Sequence, residues 1–226
     1  MPRILFFILI CTVMLFGCKK EESPAPKDSG PPPAPANPLE AAAKGEYSGP
    51  YGSVSFREDG SVLFAYKNCM YESTELGFAK MSPDSGCTEE SYEGSLELNP
   101  GQIGIRQADA SSYLFGAYLD EESKLHMGIG EVFDIGQKKQ GALTISPLRT
   151  LHLEEKGCRL EDAMKDGEMT EVPCAFVERN GRTVFEFERE DFFDKSKMVK
   201  DAYVFLPKLG LLVSPNLVEL AFATKR

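Results

Sequence analysis

From residue 47 onward the chain runs in short stretches of alternating apolar and polar side chains, broken by Gly, Asn, Asp and Pro. That period of two predicts half-buried antiparallel strands. Residues 53–57 and 61–66 flank Glu58-Asp59-Gly60. A three-residue loop with Gly in the left-handed position pairs Phe56 with Val62 and Val54 with Phe64, which puts four apolar side chains on one face, whereas a two-residue loop mixes the faces. Around Asn99-Pro100-Gly101-Gln102 the same reasoning sets Leu98 against Ile103 and Leu96 against Ile105. Asn180-Gly181, a strong turn pair, sets Phe176 opposite Phe185 and Val177 opposite Val184. Residues 112–119, 124–129, 142–153, 202–206 and 217–224 add further strands, to make about ten in all. Helical spacing is confined to a turn or two around 159–165 or 191–199. The predicted class is all-β: an antiparallel barrel or sandwich of about ten short strands, with barrel closure favoured because it removes exposed edges. No repeat of fixed period points to a propeller or solenoid.

The first 46 residues follow other patterns. After Met1-Pro2-Arg3, an uncharged apolar run from Ile4 to Phe16 ends at Gly17-Cys18. It is shorter than the roughly 20 residues a spanning helix needs and fits the core of a secretory signal. From Lys19 to Glu46 the chain reads KKEESPAPKDSGPPPAPANPLEAAAKGE, with seven prolines and almost no large apolar side chain. Such a segment cannot bury enough surface to offset its ordering entropy and is expected to be a disordered tether. Extended as polyproline II it reaches at most about 85 Å. An alternative is that residues 39–44 form one helical turn packed on the body. The expected division is 1–17 signal, 18–46 anchored cysteine and tether, and 47–226 a single β-rich domain.

Leu15-Phe16-Gly17-Cys18 resembles the lipobox of bacterial lipoproteins, in which a small residue precedes an obligatory cysteine. The resemblance implies cleavage between Gly17 and Cys18 and lipidation of Cys18. Two or three acyl chains hold a protein at a membrane far better than one. Lys19 and Lys20 stand where many lipoproteins kept at the inner membrane carry Asp, so the resemblance favours the outer membrane, with the body in the periplasm or at the cell surface. The alternative is an ordinary signal with a chance cysteine. Gly45-Glu46-Tyr47-Ser48-Gly49 and the hairpin after it look like the start of small lipocalin-like lipoprotein barrels; the chain lacks the Cys-x-x-Cys that some of those carry, and no binding residue transfers.

Charge narrows the partners. With 25 Lys and Arg against 35 Asp and Glu the net charge is -10, and residues 47–226 hold 20 of those bases and 30 of those acids. An acidic body excludes nucleic acid, which needs a clustered basic face, and favours a basic partner through steering. Cys69, Cys87, Cys158 and Cys174 remain once Cys11 leaves with the signal and Cys18 takes lipid. An even number in an exported chain predicts disulfides, and nearest neighbours, Cys69 with Cys87 and Cys158 with Cys174, are the favoured pairs. A four-thiolate zinc site wants Cys-x-x-Cys knuckles, which are missing.

His126 and His152 are the two histidines, each on a predicted strand between apolar neighbours, so alternation turns both towards solvent or a barrel rim. A shared metal or acid/base site is the functional alternative. Glu186, Glu188, Glu190, Asp191 and Asp194 form an acidic run with the oxygen chemistry of a Ca²⁺ site but without an EF-hand loop, and a solvated edge strand accounts for it better. Residues 113–119 are apolar or small on both faces, as a strand between a core and either a cavity or a second layer would be. No nucleophile elbow, phosphate loop, dinucleotide motif or zincin helix occurs. No catalytic residue, metal or cofactor is therefore nominated. The expected function is a membrane-anchored, non-enzymatic envelope lipoprotein that binds an envelope protein or a small apolar ligand. The alternative is an envelope hydrolase acting on cell-wall or lipid substrates through carboxylates.

Overall fold

The computed structural model describes residues 37–68, 71–73, 79–81, 87–191, 194 and 196–225. The chain opens with α1 (Pro38–Ala42), β1 (Gly45–Gly49), β2 (Gly52–Phe56), β3 (Ser61–Asn68), β4 (Tyr71–Ser73), β5 (Ala79–Met81), β6 (Thr88–Asn99), β7 (Gln102–Arg106), β8 (Ser112–Leu119) and β9 (Leu125–Gly128). There follow β10 (Val132–Asp134), β11 (Gly141–Ser146), β12 (Arg149–Glu154), β13 (Gly157–Asp162), β14 (Glu168–Val172), β15 (Cys174–Arg179), β16 (Arg182–Glu190), β17 (Met198–Leu206), β18 (Leu211–Val213), α2 (Pro215–Glu219) and β19 (Ala221–Thr224).

Eight of these strands close a barrel in the order β1-β19-β9-β8-β7-β6-β3-β2. The hairpins form in the predicted registers, Phe56 opposite Val62 and Val54 opposite Phe64 across β2–β3, and Leu98 opposite Ile103 across β6–β7. Alternation sends Val54, Val62, Phe64, Ile103, Ile105, Leu125, Met127 and Phe222 inward, where none is exposed to solvent. Phe64 meets Phe115 at 5.0 Å and Phe222 at 6.0 Å, ring centre to ring centre. Glu89, Ser91, Glu93 and Ser95 of β6 point outward and are exposed. This barrel is apolar inside and polar outside, the reverse of a membrane barrel.

The short helix α1 joins this core. Asn37 caps it, its side chain accepting from the Leu39 amide at 3.1 Å, and Pro38 fits the first turn because its missing N–H would be unpaired there. Leu39 and Ala42 are buried in the barrel cluster. The turn weighed for 39–44 is thus packed on the body, because two apolar side chains in a polar segment suffice to dock it.

Between β9 and β19 the chain makes a second β unit. A five-stranded sheet, β10-β18-β17-β16-β15, faces a four-stranded sheet, β11-β12-β13-β14. Leu143, Leu151, Leu153 and Leu160 of the four-stranded sheet share a core with Phe185, Phe187, Phe205 and Leu212 of the five-stranded one. Cys158 and Cys174 form a disulfide with Cα atoms 6.1 Å apart, tying β13 to β15 across the two layers. Barrel and sandwich thus both occur, and the nineteen strands among the described residues exceed the ten expected. One predicted strand, 142–153, is the hairpin β11–β12 turned at Pro147-Leu148, since Pro cannot continue a ladder. Another, 217–224, is α2 followed by β19, with Pro215 at the helix start. The turn around 159–165 is β13 ending in a 3-10 turn at Ala163–Lys165.

Tyr118, Val132, Val204, Val213 and Leu217 form the cluster between barrel and sandwich. Here α2 lies on β8 and β9, where both strands carry glycine on the outer face. A Cβ at Gly116 would meet Leu217 Cδ1 at 2.7 Å and also the Gly130 carbonyl oxygen, and one at Gly128 would meet Leu220. We predict that Gly116→Ala costs about 2 kcal/mol through this overlap. The thermal midpoint should fall by about 4–8 °C, and an unchanged midpoint would show that α2 does not sit on β8.

Candidate functional site

The junction of barrel and sandwich forms a cleft of about 370 Å³ whose walls include Tyr118, Asp120, Lys124 and His126 from the β8–β9 hairpin and Lys208 and Leu209 from the β17–β18 turn. Asp120 organises the hairpin loop: its Oδ1 accepts from the Glu122 amide at 2.9 Å and the Lys124 amide at 2.8 Å. Its Oδ2 stands 3.2 Å from His126 Nε2. The other ring nitrogen, Nδ1, lies 3.0 Å from the Leu217 carbonyl oxygen of α2. Tyr118 stacks on the imidazole with centres 4.4 Å apart and planes 10° from parallel. Lys208 bridges to Glu121 at 2.5 Å, closing the rim.

Burial pushes the Asp120 carboxyl up, but the Lys124 amide, His126 and the Glu122 amide together outweigh it and hold the group below its ordinary value of 3.8. Burial holds the Tyr118 phenol above its usual range. Both neighbours of the His126 ring are acceptors, so a neutral ring satisfies one of them and a protonated ring both. Through these two contacts the arrangement joins the β8–β9 loop to α2.

Alternation put His126 on the outer face of β9 correctly, yet the residue is 6% exposed rather than solvated, because α2 and Tyr118 cover that face. His152 is half-buried on the outer face of β12 and pairs with Glu161 at 2.8 Å. The two histidines stand in different sheets with separate acidic partners and form no shared site. Among the described residues no group of three His, Cys, Asp or Glu side chains is placed to hold a metal ion. Within the acidic run Glu186 does not lie on an edge: β16 is paired there with both β15 and β17, and Glu186 is buried with Arg179 Nε at 2.6 Å and Lys200 Nζ at 3.0 Å. Burial raises the Glu186 carboxyl and those two cations bring it below its ordinary value.

Cys158 pairs with Cys174 as expected, Cys87 is disulfide-bonded, and its expected partner Cys69 lies outside the described residues. Cys18 and the motif before it also lie outside them. No described helix is long and apolar enough to cross a membrane. Only the second half of 113–119 meets a second layer: Phe115 and Ala117 enter the barrel and Tyr118 packs under the sandwich, while Tyr113 and Leu114 are exposed.

Comparison with family models, curated proteins and solved structures finds no match to this chain. The site therefore stands on its own geometry.

Two acid clusters had no sequence signal, because each joins residues far apart in the chain, Glu90 with Tyr66 and Asn68 and Glu131 with Tyr203. Glu90 accepts from Tyr92 at 2.6 Å, Asn68 at 2.8 Å and Tyr66 at 3.3 Å. These hydrogen bonds, Tyr92 first, lower the Glu90 carboxyl, and the same bond with burial pushes Tyr92 up to about 12. Glu131 is raised by burial and accepts from Tyr203 at 2.6 Å. Asp120 did carry a cue, an acid opening a turn ahead of a strand, since Asx turns use that side chain on the amides that follow.

Asp120→Asn should destabilise the chain by about 1–2 kcal/mol at pH 7 in urea titration, as expected for lost hydrogen bonds to a charged group. The Asp120 carboxyl is lowered on folding, so its contribution is complete above its unfolded value and fades as pH falls through the lower folded one. The gap between wild type and variant should accordingly close in acid. A gap independent of pH would show that the charge of Asp120 does not hold this junction.

Proposed function

We propose that this chain is a lipid-anchored envelope protein whose β body is a non-enzymatic module that binds another envelope protein. The packed lumen carries the choice between the two ligand classes. A carrier of small apolar molecules keeps its barrel interior open, and here Phe64, Ile103, Ile105, Met127 and Phe222 fill it while Leu39 and Ala42 of α1 join the same core. Recognition then falls to the outer surfaces, and the net charge of -10 favours a basic partner. The anchor at Cys18 rests on the lipobox resemblance, and Lys19 and Lys20 favour the outer membrane. Less supports the hydrolase reading, since both ring nitrogens of His126 are engaged by acceptors.

Titration of the mature chain with a fluorescent fatty acid should show no saturable binding. Stoichiometric uptake would favour a carrier and overturn the choice. Intact-mass measurement of the mature chain should find acyl groups on Cys18, and an unmodified Cys18 would remove the anchor.

A further inference from the structure

The edges of the two sandwich sheets are unequal. β10 has three residues, β11 carries a register shift between Thr144 and Ser146 and runs into Pro147, and β15 follows Pro173 and is tied to β13 by the Cys158–Cys174 disulfide. Short length, bulges and prolines all discourage further pairing at an edge. β14 also runs into a proline, Pro173, but its five residues hold no bulge and no disulfide cysteine. It lies at the end of the order β11-β12-β13-β14, its ladder to β13 is regular from Cys158 opposite Val172 to Asp162 opposite Glu168, and four of its residues are exposed.

The hydrogen bonds around it tell which backbone groups are open. The Ala163 amide donates to the Leu148 carbonyl on the β12 side at 2.9 Å, and the Asp162 carbonyl accepts from the Gly167 amide on the β14 side at 3.1 Å. Successive residues of a strand turn their amides to opposite sides. Cys158, Leu160 and Asp162 therefore face β14, and their partners Val172, Thr170 and Glu168 face back. Met169 and Glu171 are left with N–H and C=O directed out of the sheet, and among the described residues no backbone partner takes them.

The side chains give this edge a sign. Glu168 and Glu171 form no close salt bridge among the described residues; Arg159, which stands opposite Glu171 and within reach of its charge, bridges to Glu154. Met169 is 38% exposed, and Met164 and Leu148 of the adjoining turns are 71% and 37% exposed. Flexible thioethers suit a surface that must adapt to a partner.

We propose that β14 is a docking edge at which an extended, basic segment of the partner protein adds as a fifth strand to the four-stranded sheet. The inference rests on the protein-binding reading above. The open backbone groups of Met169 and Glu171 supply the ladder, Glu168 and Glu171 select Lys or Arg three residues apart, and the methionines cover apolar side chains between them. A second copy of this chain is a poor occupant, because two paired β14 strands would bring four carboxylates into one ladder.

The probe is a nine-residue peptide of Lys-Val-Thr repeated three times, with Glu in place of Lys as the control, offered to the full mature chain. The basic peptide should slow exchange of the Met169 and Glu171 amides about tenfold or more, and the control should not. Met169→Pro should weaken binding about tenfold or more, with little change in thermal midpoint because that N–H takes no part in the β13 ladder. The double variant Glu168→Lys, Glu171→Lys should do the same through charge alone. Protection elsewhere, binding indifferent to either variant, or self-association that Met169→Pro abolishes would each overturn the proposal. Photo-crosslinkers in intact envelopes separate the two claims. Capture from an outer barrel position such as Ser91 but not from position 169 would defeat the edge and leave the protein-binding reading standing. Capture from neither position would remove both.

Discussion

Closure of the barrel rests on four residues at the end of the chain. β19 pairs with β1 through Tyr47–Thr224 and Ser48–Ala223, and with β9 through Ala221–His126 and Phe222–Leu125. Without it β1 and β9 would both be open edges and the lumen would face water between them. The whole sandwich intervenes between β9 and β19, so the sandwich must hold α2 and β19 in place for the barrel to close. Three contacts do so: Leu217 and Leu220 on the glycine face of β8 and β9, the His126 bond to the Leu217 carbonyl, and Phe222 in the lumen. Barrel and sandwich are thereby one folding problem, and the acid–histidine pair at their junction reads as part of that joint.

A closed and filled barrel has consequences for recognition. Its interior spends its side chains on stability, with Phe64 against Phe115 and Phe222, so specificity has to come from outer faces and from sheet edges. The paired acids Glu93 and Glu97 on the barrel wall are met by Arg57 and Arg106. Exposed pairs of this kind add little stability. They do leave the uncompensated charge elsewhere, β14 being one place where it coincides with open backbone.

What the sequence made legible was whatever depends on neighbours in the chain. The registers at Phe56–Val62, Leu98–Ile103 and Phe176–Phe185 follow from turn length and the two-residue period, and each is found. The short-loop disulfide Cys158–Cys174 follows for the same reason. Harder were features set by distant segments. His126 was placed on the right face, but only the return of α2 after the sandwich decides that this face is buried. Glu186 looked like an edge residue because β17, whose Lys200 neutralises it, approaches from beyond a loop. Pro147 and Pro215 were readable breaks that the apolar runs around them obscured.

Native-state hydrogen exchange on the intact chain, comparing wild type with Phe222→Ala, tests the central dependence most directly. Emptying a fully buried phenylalanine costs about 3–5 kcal/mol. If β19 closes a single cooperative barrel, amides of β3 and β7, which share no backbone pairing with β19, should exchange faster by the same factor as those of β1 and β9, on the order of a hundredfold or more. Faster exchange confined to β1, β9 and β19, with β3 and β7 unchanged, would contradict the account.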